Sequence, residues 1–330
     1  MTKPMYQPKD SSQSPRFCGV RTFMRLEAIK TTENVDFVIL GVPFDTAASF
    51  RTGQRLGPQH IRDFSVLLRP YNPDQDINIF DYASGVDYGD VNVVPGNVHR
   101  TYEAIQDELR PILHHNITPI ILGGDHSISL GHLRAFAEKY GPVALVLFDA
   151  HADTWEHYYG EKYMHGTPFR RAVEEGLIDV EHSIMVGMRG SLYGPEDMND
   201  TRHLGFEVIT MQEFRQIGYA ETMERVHKRV GDAPLFVSFD IDFVDPAYAP
   251  GTGTPEVCGA TNYEALECVR KLNGLNIVGF DLVEVLPTYD SGEVTAVMAS
   301  AVAHEMMSLV ALKKKREQQE SKVEAGIVKE

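Results

Sequence analysis

Three apolar segments of this sequence end in acidic and histidine side chains, and this pattern constrains the fold more than any other feature. Residues 143–148 are continuously apolar and precede Asp149, His151 and Asp153, which occupy alternate positions. Because side chains two residues apart point the same way in an extended backbone, these three can face one point beyond the strand end. Two carboxylates and an imidazole at one point suit a divalent metal ion.

Two further apolar segments end in the same way. Residues 120–124 precede Asp125 and His126, and residues 235–239 precede two more aspartates at alternate positions. For a single segment, the alternative is that the aspartates cap the next helix and the histidine lies on the surface. Six candidates after three segments instead favour two ions that share a bridging ligand: His126, Asp149, His151, Asp153, Asp240 and Asp242.

Strands and helices alternate along most of the chain, which predicts an α/β fold. Continuous apolar runs predict strands at 36–41, 118–122, 143–148, 183–187, 206–210, 235–240 and 277–283, and a short one near 77–80. Helices are predicted at 58–67, 97–115, 127–140, 167–175, 220–230, 262–272 and from 293 to about 312. This order is typical of a mostly parallel sheet covered on both faces. In such sheets ligands bind beyond the carboxyl ends of the strands, where all six candidates and Glu284 fall.

The sequence predicts one main domain with polar ends. Residues 1–16 are polar and rich in proline and serine, which predicts a flexible arm without the apolar core of a signal peptide. Residues 17–312 contain no linker or repeat and are expected to form a single domain. Residues 313–330 begin with a basic run and are expected to form a solvated polar tail.

Composition excludes some partners. The 330 residues include 31 basic and 47 acidic side chains, a net charge of −16, which argues against a nucleic-acid partner. No run of 18 apolar residues occurs, so no membrane span is expected. The cysteines, Cys18, Cys258 and Cys268, are few and scattered, which predicts reduced thiols and a cytoplasmic location.

Three motifs together resemble those of the ureohydrolases, the arginase and agmatinase family. They are Gly-Gly-Asp-His-Ser at 123–127, Asp-Ala-His-Ala-Asp-Thr at 149–154 and Ser-Phe-Asp-Ile-Asp-Phe-Val-Asp-Pro at 238–246. Their order and spacing also match, and the resemblance covers about residues 17–312. It implies a three-layer α/β/α fold, hydrolysis of a guanidino compound to urea and an amine, and a homotrimer or homohexamer.

The resemblance also implies two manganese ions bridged by hydroxide, with nickel or cobalt as alternatives. Residue by residue, one ion is assigned His126, Asp149, Asp153 and Asp240. The other is assigned Asp149, His151, Asp240 and Asp242, so that Asp149 and Asp240 bridge. The residue types agree with this assignment, because carboxylates can bridge and oxygen and nitrogen ligands suit manganese better than zinc.

Two further residues match catalytic positions of the family. His165 resembles the histidine that gives a proton to the leaving amine, and Glu284 resembles the carboxylate that holds the guanidinium. The plainer interpretations are a surface loop histidine and a structural ion pair. We also count the ligand Asp153 as catalytic, and we expect Asp125 and Asp245 to orient ligands or backbone, with a helix cap as the alternative for Asp125.

The substrate is less well defined by the sequence. Relatives that take arginine carry a polar residue two positions after Asp153, where this chain has Trp155, so arginine is disfavoured. Residues 160–176 look more like agmatinases and guanidinobutyrases. We expect Glu156 to suit the amine of agmatine and Lys162 or Arg51 to suit the carboxylate of 4-guanidinobutyrate.

The aromatic residues Trp155, Tyr158 and Tyr159 are expected to form a pocket wall, which would also suit a small substrate such as guanidine itself. His157 in the same loop is expected to be exposed. The order of preference is agmatine, 4-guanidinobutyrate and guanidine. Two other classes stay open at this point: a one-metal zinc deacetylase of similar fold, and a catalytically silent metal-binding scaffold.

Overall fold

The computed structural model describes residues 5–324 and is built around a twisted sheet of eight parallel strands. The strands are β1 Phe37–Val42, β2 Tyr71–Asn72, β3 Ile77–Asn78, β4 Gly85–Asp90, β5 Thr118–Gly123, β6 Ala144–Phe148, β7 Ile184–Met188, β8 Glu207–Thr210, β9 Leu235–Asp240 and β10 Ile277–Val283. Strands β2 and β3 form a separate two-stranded hairpin. The order across the large sheet is β4-β1-β5-β10-β9-β6-β7-β8.

Helices cover both faces of this sheet. They are α1 Gly57–Ser65, α2 Val98–His114, α3 Ser129–Tyr140, α4 Pro168–Glu174, α5 Glu196–His203, α6 Met211–Val230, α7 Asn262–Arg270 and α8 Val294–Glu324. Alternate strand residues enter two separate cores. Val146 packs in the core that includes α1, α6, α7 and α8, whereas Leu147 packs in the core that includes α2, α3 and α4. The predicted α/β/α class with a parallel sheet is therefore confirmed.

The sequence patterns did not predict strand β4 or helix α5, because both segments are polar. Strand β4 carries Asp87, which is buried because Arg62 pairs with it at 2.8 Å and the Phe23 amide donates to it at 2.7 Å. Helix α5 buries only Thr201 among its eight residues, so it shows no apolar stripe. A polar strand and a polar helix carry no periodic signal that sequence reasoning can detect.

Two helix ends were predicted wrongly. Helix α6 begins at Met211 rather than 220, with a kink at Gly218, where φ is 77°. Helix α8 continues to Glu324 instead of ending near 312. Its basic run remains helical, because the Lys313 ammonium donates to the Ile277 carbonyl at 3.2 Å and the Lys314 ammonium lies 3.2 Å from Asp36.

Residues 5–16 form no helix or strand but are attached to the domain by hydrogen bonds. The Tyr6 amide donates to the Ser84 hydroxyl at 2.9 Å, and the Arg25 guanidinium donates to the Ser14 carbonyl at 2.7 Å. The outermost parts of the predicted arm and tail, residues 1–4 and 325–330, lie outside the described residues.

The stretch Ser291–Val323 is long and apolar enough to cross a membrane by length and composition alone. Of its most apolar window, 83% is buried inside the protein, as in the core helix of a soluble protein.

Candidate active site

Four neighbouring strands bring the predicted site residues to one edge of the sheet. The strands β5, β10, β9 and β6 are adjacent and parallel, so their carboxyl ends meet. The first leads to His126, the second to Glu284, the third to Asp240 and Asp242, and the fourth to the segment 149–153. This edge is the place where ligands bind in open parallel sheets.

The first group of metal-type ligands surrounds His126. Its Nδ1 atom lies 3.2 Å from Asp149 Oδ2, 3.0 Å from Asp153 Oδ2 and 3.1 Å from Asp240 Oδ2. His126 and the three aspartates are buried. Asp153 adopts a left-handed backbone conformation with φ of 50°, a strained geometry that often marks functional positions.

The second group contains Asp149, His151 and Asp242. His151 Nδ1 lies 3.0 Å from Asp242 Oδ2 and 3.5 Å from Asp149 Oδ1, so Asp149 faces both groups with different oxygens. Asp240 differs from the expectation in part. One of its oxygens faces His126, and the other accepts the Asp242 amide at 2.8 Å, so its bridging role stays a prediction.

The chemistry of these groups fits divalent cations. His126 Nδ1, Asp149 Oδ2 and Asp242 Oδ2 are buried without a hydrogen-bond partner among the described residues. Burial and the neighbouring carboxylates raise the pKa of Asp149 to about 6 and raise the pKa of Asp240 well above its ordinary value. Buried carboxylates this close need compensating positive charge. Oxygen and imidazole donors in two groups with a shared member fit two such ions.

A buried hydrogen-bond chain aims His126 at the first group. Its Nε2 atom lies 2.9 Å from the Ser238 hydroxyl, which donates to Asp281 at 2.6 Å. The other Asp281 oxygen lies 2.9 Å from His132 Nδ1. A hydrogen-bond partner on the ring nitrogen that does not bind the metal fixes the tautomer and orientation of a ligating histidine. The hydrogen bond from His126 Nε2 to Ser238 therefore leaves Nδ1 available for a metal ion. The spacing of ligand-type residues in the sequence does not predict a role for Ser238, Asp281 or His132.

Asp125 and Asp245 hold loops rather than face the two groups. Asp125 accepts the Ser127 amide at 3.1 Å, which caps the short helix after β5, and also accepts the Ala47 amide at 2.9 Å. Asp245 accepts the amides of Ala247 and Gly259, both at 2.9 Å. Both alternatives proposed for Asp125, the cap and the backbone anchor, thus occur together.

Gly124 is required by close backbone packing beneath His126. A Cβ atom at this position would lie 1.7 Å from the Phe44 carbonyl oxygen. We expect Gly124→Ala to lower the free energy of unfolding by about 1–3 kcal/mol, because the neighbouring backbone must shift. Denaturant unfolding measures this effect. Gly194→Ala adds the same methyl group in open space and should change stability little; equal losses in the two variants would contradict the prediction.

His165 and Glu284 form a buried pair beside the two groups. His165 Nδ1 lies 2.9 Å from Glu284 Oε1. Its Nε2 lies 2.6 Å from the Ser49 hydroxyl and accepts the Ser49 amide at 3.0 Å. Burial alone would lower the pKa of His165, but the charge and hydrogen bond of Glu284 outweigh it and raise that pKa to about 9. Burial opposes ionisation of Glu284 as well, yet His165 and the His126 amide hold its pKa below the ordinary value.

A cavity of about 310 Å³ opens onto this site. The floor of the cavity is lined by Asp153, Asp240, His151, His165 and Glu284. Its wall is lined by Trp155 and Tyr158. The Trp155 and Tyr158 rings stack with centroids 4.4 Å apart.

The predicted pocket residues divide between this cavity and an adjoining outer depression. Glu156 and Tyr159 line only the depression, whereas Trp155 and Tyr158 line both. His157 is exposed, as expected. Among the described lining residues of the cavity, neither Lys162 nor Arg51 occurs; the Arg51 guanidinium instead lies over the Tyr289 ring at 4.2 Å.

Three charged residues of the cavity were missed by the sequence analysis: Arg189, Asp197 and Glu256. Arg189 follows β7, and Asp197 and Glu256 lie on α5 and on the loop after β9. None of them stands in an apolar run or at alternate spacing, so nothing in the local sequence marks them as site residues.

The fold and the paired donor groups define an α/β/α protein with a site for two metal ions. Comparison with known proteins identifies the family to which this protein belongs. The arginase family model matches residues 35–308. The chain is 42% identical to a guanidinobutyrase of Pseudomonas aeruginosa, over 94% of this chain and 98% of that protein. It is 44% identical to a mitochondrial agmatinase of Gallus gallus, over 92% and 89%.

A solved structure of proclavaminate amidino hydrolase from Streptomyces clavuligerus is 40% identical and superposes with a TM-score of 0.87, covering 91% of this chain and 99% of that one. The chain therefore belongs to the arginase family, the ureohydrolases that its motifs resemble, and it is an amidinohydrolase of that family. This membership also excludes the zinc deacetylase class.

Proposed function

We propose that this protein cleaves a guanidino compound to urea and an amine with the help of two divalent metal ions. The observation that carries the proposal is the pair of His/Asp groups sharing Asp149, which open onto the same cavity as the His165–Glu284 pair. The residues proposed to hold the ions are His126, Asp149, His151, Asp153, Asp240 and Asp242.

When bound, two divalent ions would supply an acidified water and positive charge against the developing negative charge. The protein residues supply the remaining steps. Glu284 binds the guanidinium through its negative charge and the acceptor position left on Oε2, and so fixes the guanidinium carbon in the cavity. His165, which borders the cavity and is favoured in its protonated form by the charge of Glu284, gives a proton to the departing amine. Attack of the water oxygen on the guanidinium carbon would form a C–O bond and a tetrahedral intermediate. Breaking of the C–N bond to the substrate tail then releases urea, and the departing amine nitrogen takes up the two protons of the water, one of them by way of His165.

The charges at the cavity wall favour agmatine as the substrate. The Arg189 guanidinium is fully used, because its N–H groups donate to five backbone carbonyls: those of Gly187, Asp242, Phe243, Glu256 and Val257. It therefore has no donor left for a substrate carboxylate. The Glu256 and Asp197 carboxylates line the same cavity. The charged groups that a substrate tail can contact there are therefore negative, which suits an ammonium group.

Two alternatives follow in order. Similarity to a guanidinobutyrase supports 4-guanidinobutyrate, and the Trp155–Tyr158 wall supports a compact substrate such as guanidine. We propose manganese as the metal, with nickel and cobalt as alternatives. A homotrimer or homohexamer and a cytoplasmic location are proposed from the family resemblance and from the three free cysteines.

A urea-release assay tests the proposal. The protein is loaded with manganese, nickel or cobalt and supplied with agmatine, 4-guanidinobutyrate, 3-guanidinopropionate, arginine and guanidine, while metal analysis counts bound ions. Two ions per chain with urea from at least one compound is the expected result. Two bound ions with no urea from any compound would support the silent scaffold instead.

We expect Glu256→Gln to reduce kcat/KM for agmatine by about 10- to 100-fold, because a hydrogen bond to a charged group is lost from the substrate tail. The value for 4-guanidinobutyrate should stay equal or rise. Glu156→Gln removes a carboxylate from the outer depression and serves as the matched control. If Glu156→Gln has the larger effect on agmatine, the tail lies in the depression and the assignment to Glu256 is wrong.

A further inference from the structure

Gln54 is fully buried beside Glu284, although the loop that carries it lies far away in the sequence. It begins a short 3₁₀ helix, Gln54–Leu56, between β1 and α1. Its side-chain amide nitrogen donates to Glu284 Oε2 at 2.8 Å and to the Arg51 carbonyl at 3.0 Å. The other Glu284 oxygen, Oε1, already accepts from His165 and from the His126 amide at 2.9 Å.

The orientation of this amide is fixed by its partners. Both atoms within reach of the Gln54 nitrogen are acceptors, so the nitrogen must face them. The Gln54 Oε1 atom is then buried without a hydrogen-bond partner among the described residues. An unpaired buried acceptor lowers stability, so an apolar side chain would suit a purely structural position better. The charged partner of the amide, Glu284 Oε2, therefore points to a role of Gln54 at Glu284.

The surrounding loops are built to permit this contact. A Cβ atom at Gly253 would lie 2.6 Å from Gln54 Nε2 and 3.0 Å from Glu284 Oε2, so the glycine leaves the space that the pair occupies. On the other side, Asp45 accepts the Gly53 amide at 2.8 Å and the Arg55 Nε–H at 2.6 Å, which fixes the loop around Gln54.

We propose that Gln54 is a positioning residue for guanidinium recognition, an inference that rests on the proposed function. Glu284 itself sits in a left-handed conformation with φ of 64°, which its surroundings must maintain. The Gln54 amide holds the Glu284 carboxylate in one rotamer, with Oε1 on His165 and Oε2 on Gln54, where the group lines the cavity. Gln54 thereby orients the guanidinium without belonging to the metal groups.

The test compares Gln54→Met with Gln75→Met. Gln75 makes the same kind of bond, its amide donating to Glu305 Oε2 at 2.6 Å, at a site remote from the cavity. We expect Gln54→Met to raise KM about 10-fold, and by a similar factor for agmatine and 4-guanidinobutyrate, because both present the same guanidinium. Bound metal should stay at two ions per chain. Gln75→Met should leave KM unchanged.

Gln54→Glu provides a second variant of nearly unchanged shape. It places a carboxylate against Glu284 and should raise KM at least as much as Gln54→Met does. An unchanged KM in both variants, with kcat reduced only in proportion to the folded fraction, would overturn the positioning role while leaving the proposed function intact. Failure of the unaltered protein to release urea from any guanidino compound would overturn both.

Discussion

Asp149→Asn is expected to abolish urea release and to reduce bound metal below two ions per chain. Asp149 is the only residue shared by the two His/Asp groups of the described chain, and its two oxygens face different histidines. The amide keeps the size of the side chain but removes its negative charge and one acceptor oxygen. Both ion sites lose a ligand at once, so the effect should exceed that of a substitution at a residue of one group only, such as Asp153 or Asp242.

Metal analysis and the urea assay are run on the same preparation. Asp179→Asn is the matched control, because Asp179 is a partly exposed carboxylate paired with His182 at 2.8 Å, far from the metal groups. It should leave metal content and rate unchanged. Full metal content and a normal rate in Asp149→Asn would remove Asp149 from the site and with it the two-ion interpretation.

The metal-free protein gives an independent measurement on the same residue. Burial and neighbouring carboxylates raise the pKa of Asp149 from 3.8 to about 6, so the folded state resists ionisation. An acid with a raised folded pKa destabilises the fold as pH rises from its ordinary pKa to the raised one. The contribution of Asp149 should therefore be lost between about pH 4 and 6, so the stability of the metal-free protein should fall over this range relative to that of Asp149→Asn. Thermal unfolding against pH, with chelator present, tests the sign.

Sequence reasoning located the metal groups because they follow a simple geometric rule. Asp149, His151 and Asp153 directly follow a buried strand, where alternate spacing fixes direction and parallel strands fix a common edge. Their strand is apolar throughout, so its end was easy to place. The same rule located Asp240 and Asp242 after β9. For these residues the local spacing alone is enough to predict that their side chains meet in the folded protein.

The cavity wall could not be predicted in this way. Arg189 and Glu256 reach the cavity wall, and Gln54 reaches Glu284, from segments whose paths depend on tertiary packing. Glu256 lies close to Gly190 only because that glycine has no side chain. Proximity in sequence was a poor guide: Glu156 is three residues from Asp153, yet it lines the outer depression. Once the backbone leaves the strand, alternate spacing no longer fixes where a side chain points.

His165→Ala is expected to reduce kcat by roughly 10²- to 10⁴-fold, the usual contribution of a positioned proton donor, while two ions stay bound. The imidazole contacts Glu284 and Ser49, neither of which belongs to the metal groups, so the ligand set is untouched. The negative charge of Glu284 beside the imidazole raises the pKa of His165 and so favours the protonated form of the donor. In the unaltered enzyme the rate should fall on the alkaline side of the pH profile, where the donor loses its proton, and the variant should lack this limb.

Three measurements separate proton donation from a structural role for His165. His157→Ala removes an exposed histidine from the same loop and should leave kcat unchanged. Added imidazole should restore part of the rate of His165→Ala, because the lost side chain borders the cavity and a free donor can enter there. A variant rate within about threefold of the original, with an unchanged pH profile, would show that another group protonates the amine. Since Ser49 lies 2.6 Å from His165 Nε2 and also lines the cavity, Ser49→Ala is then the next variant to measure.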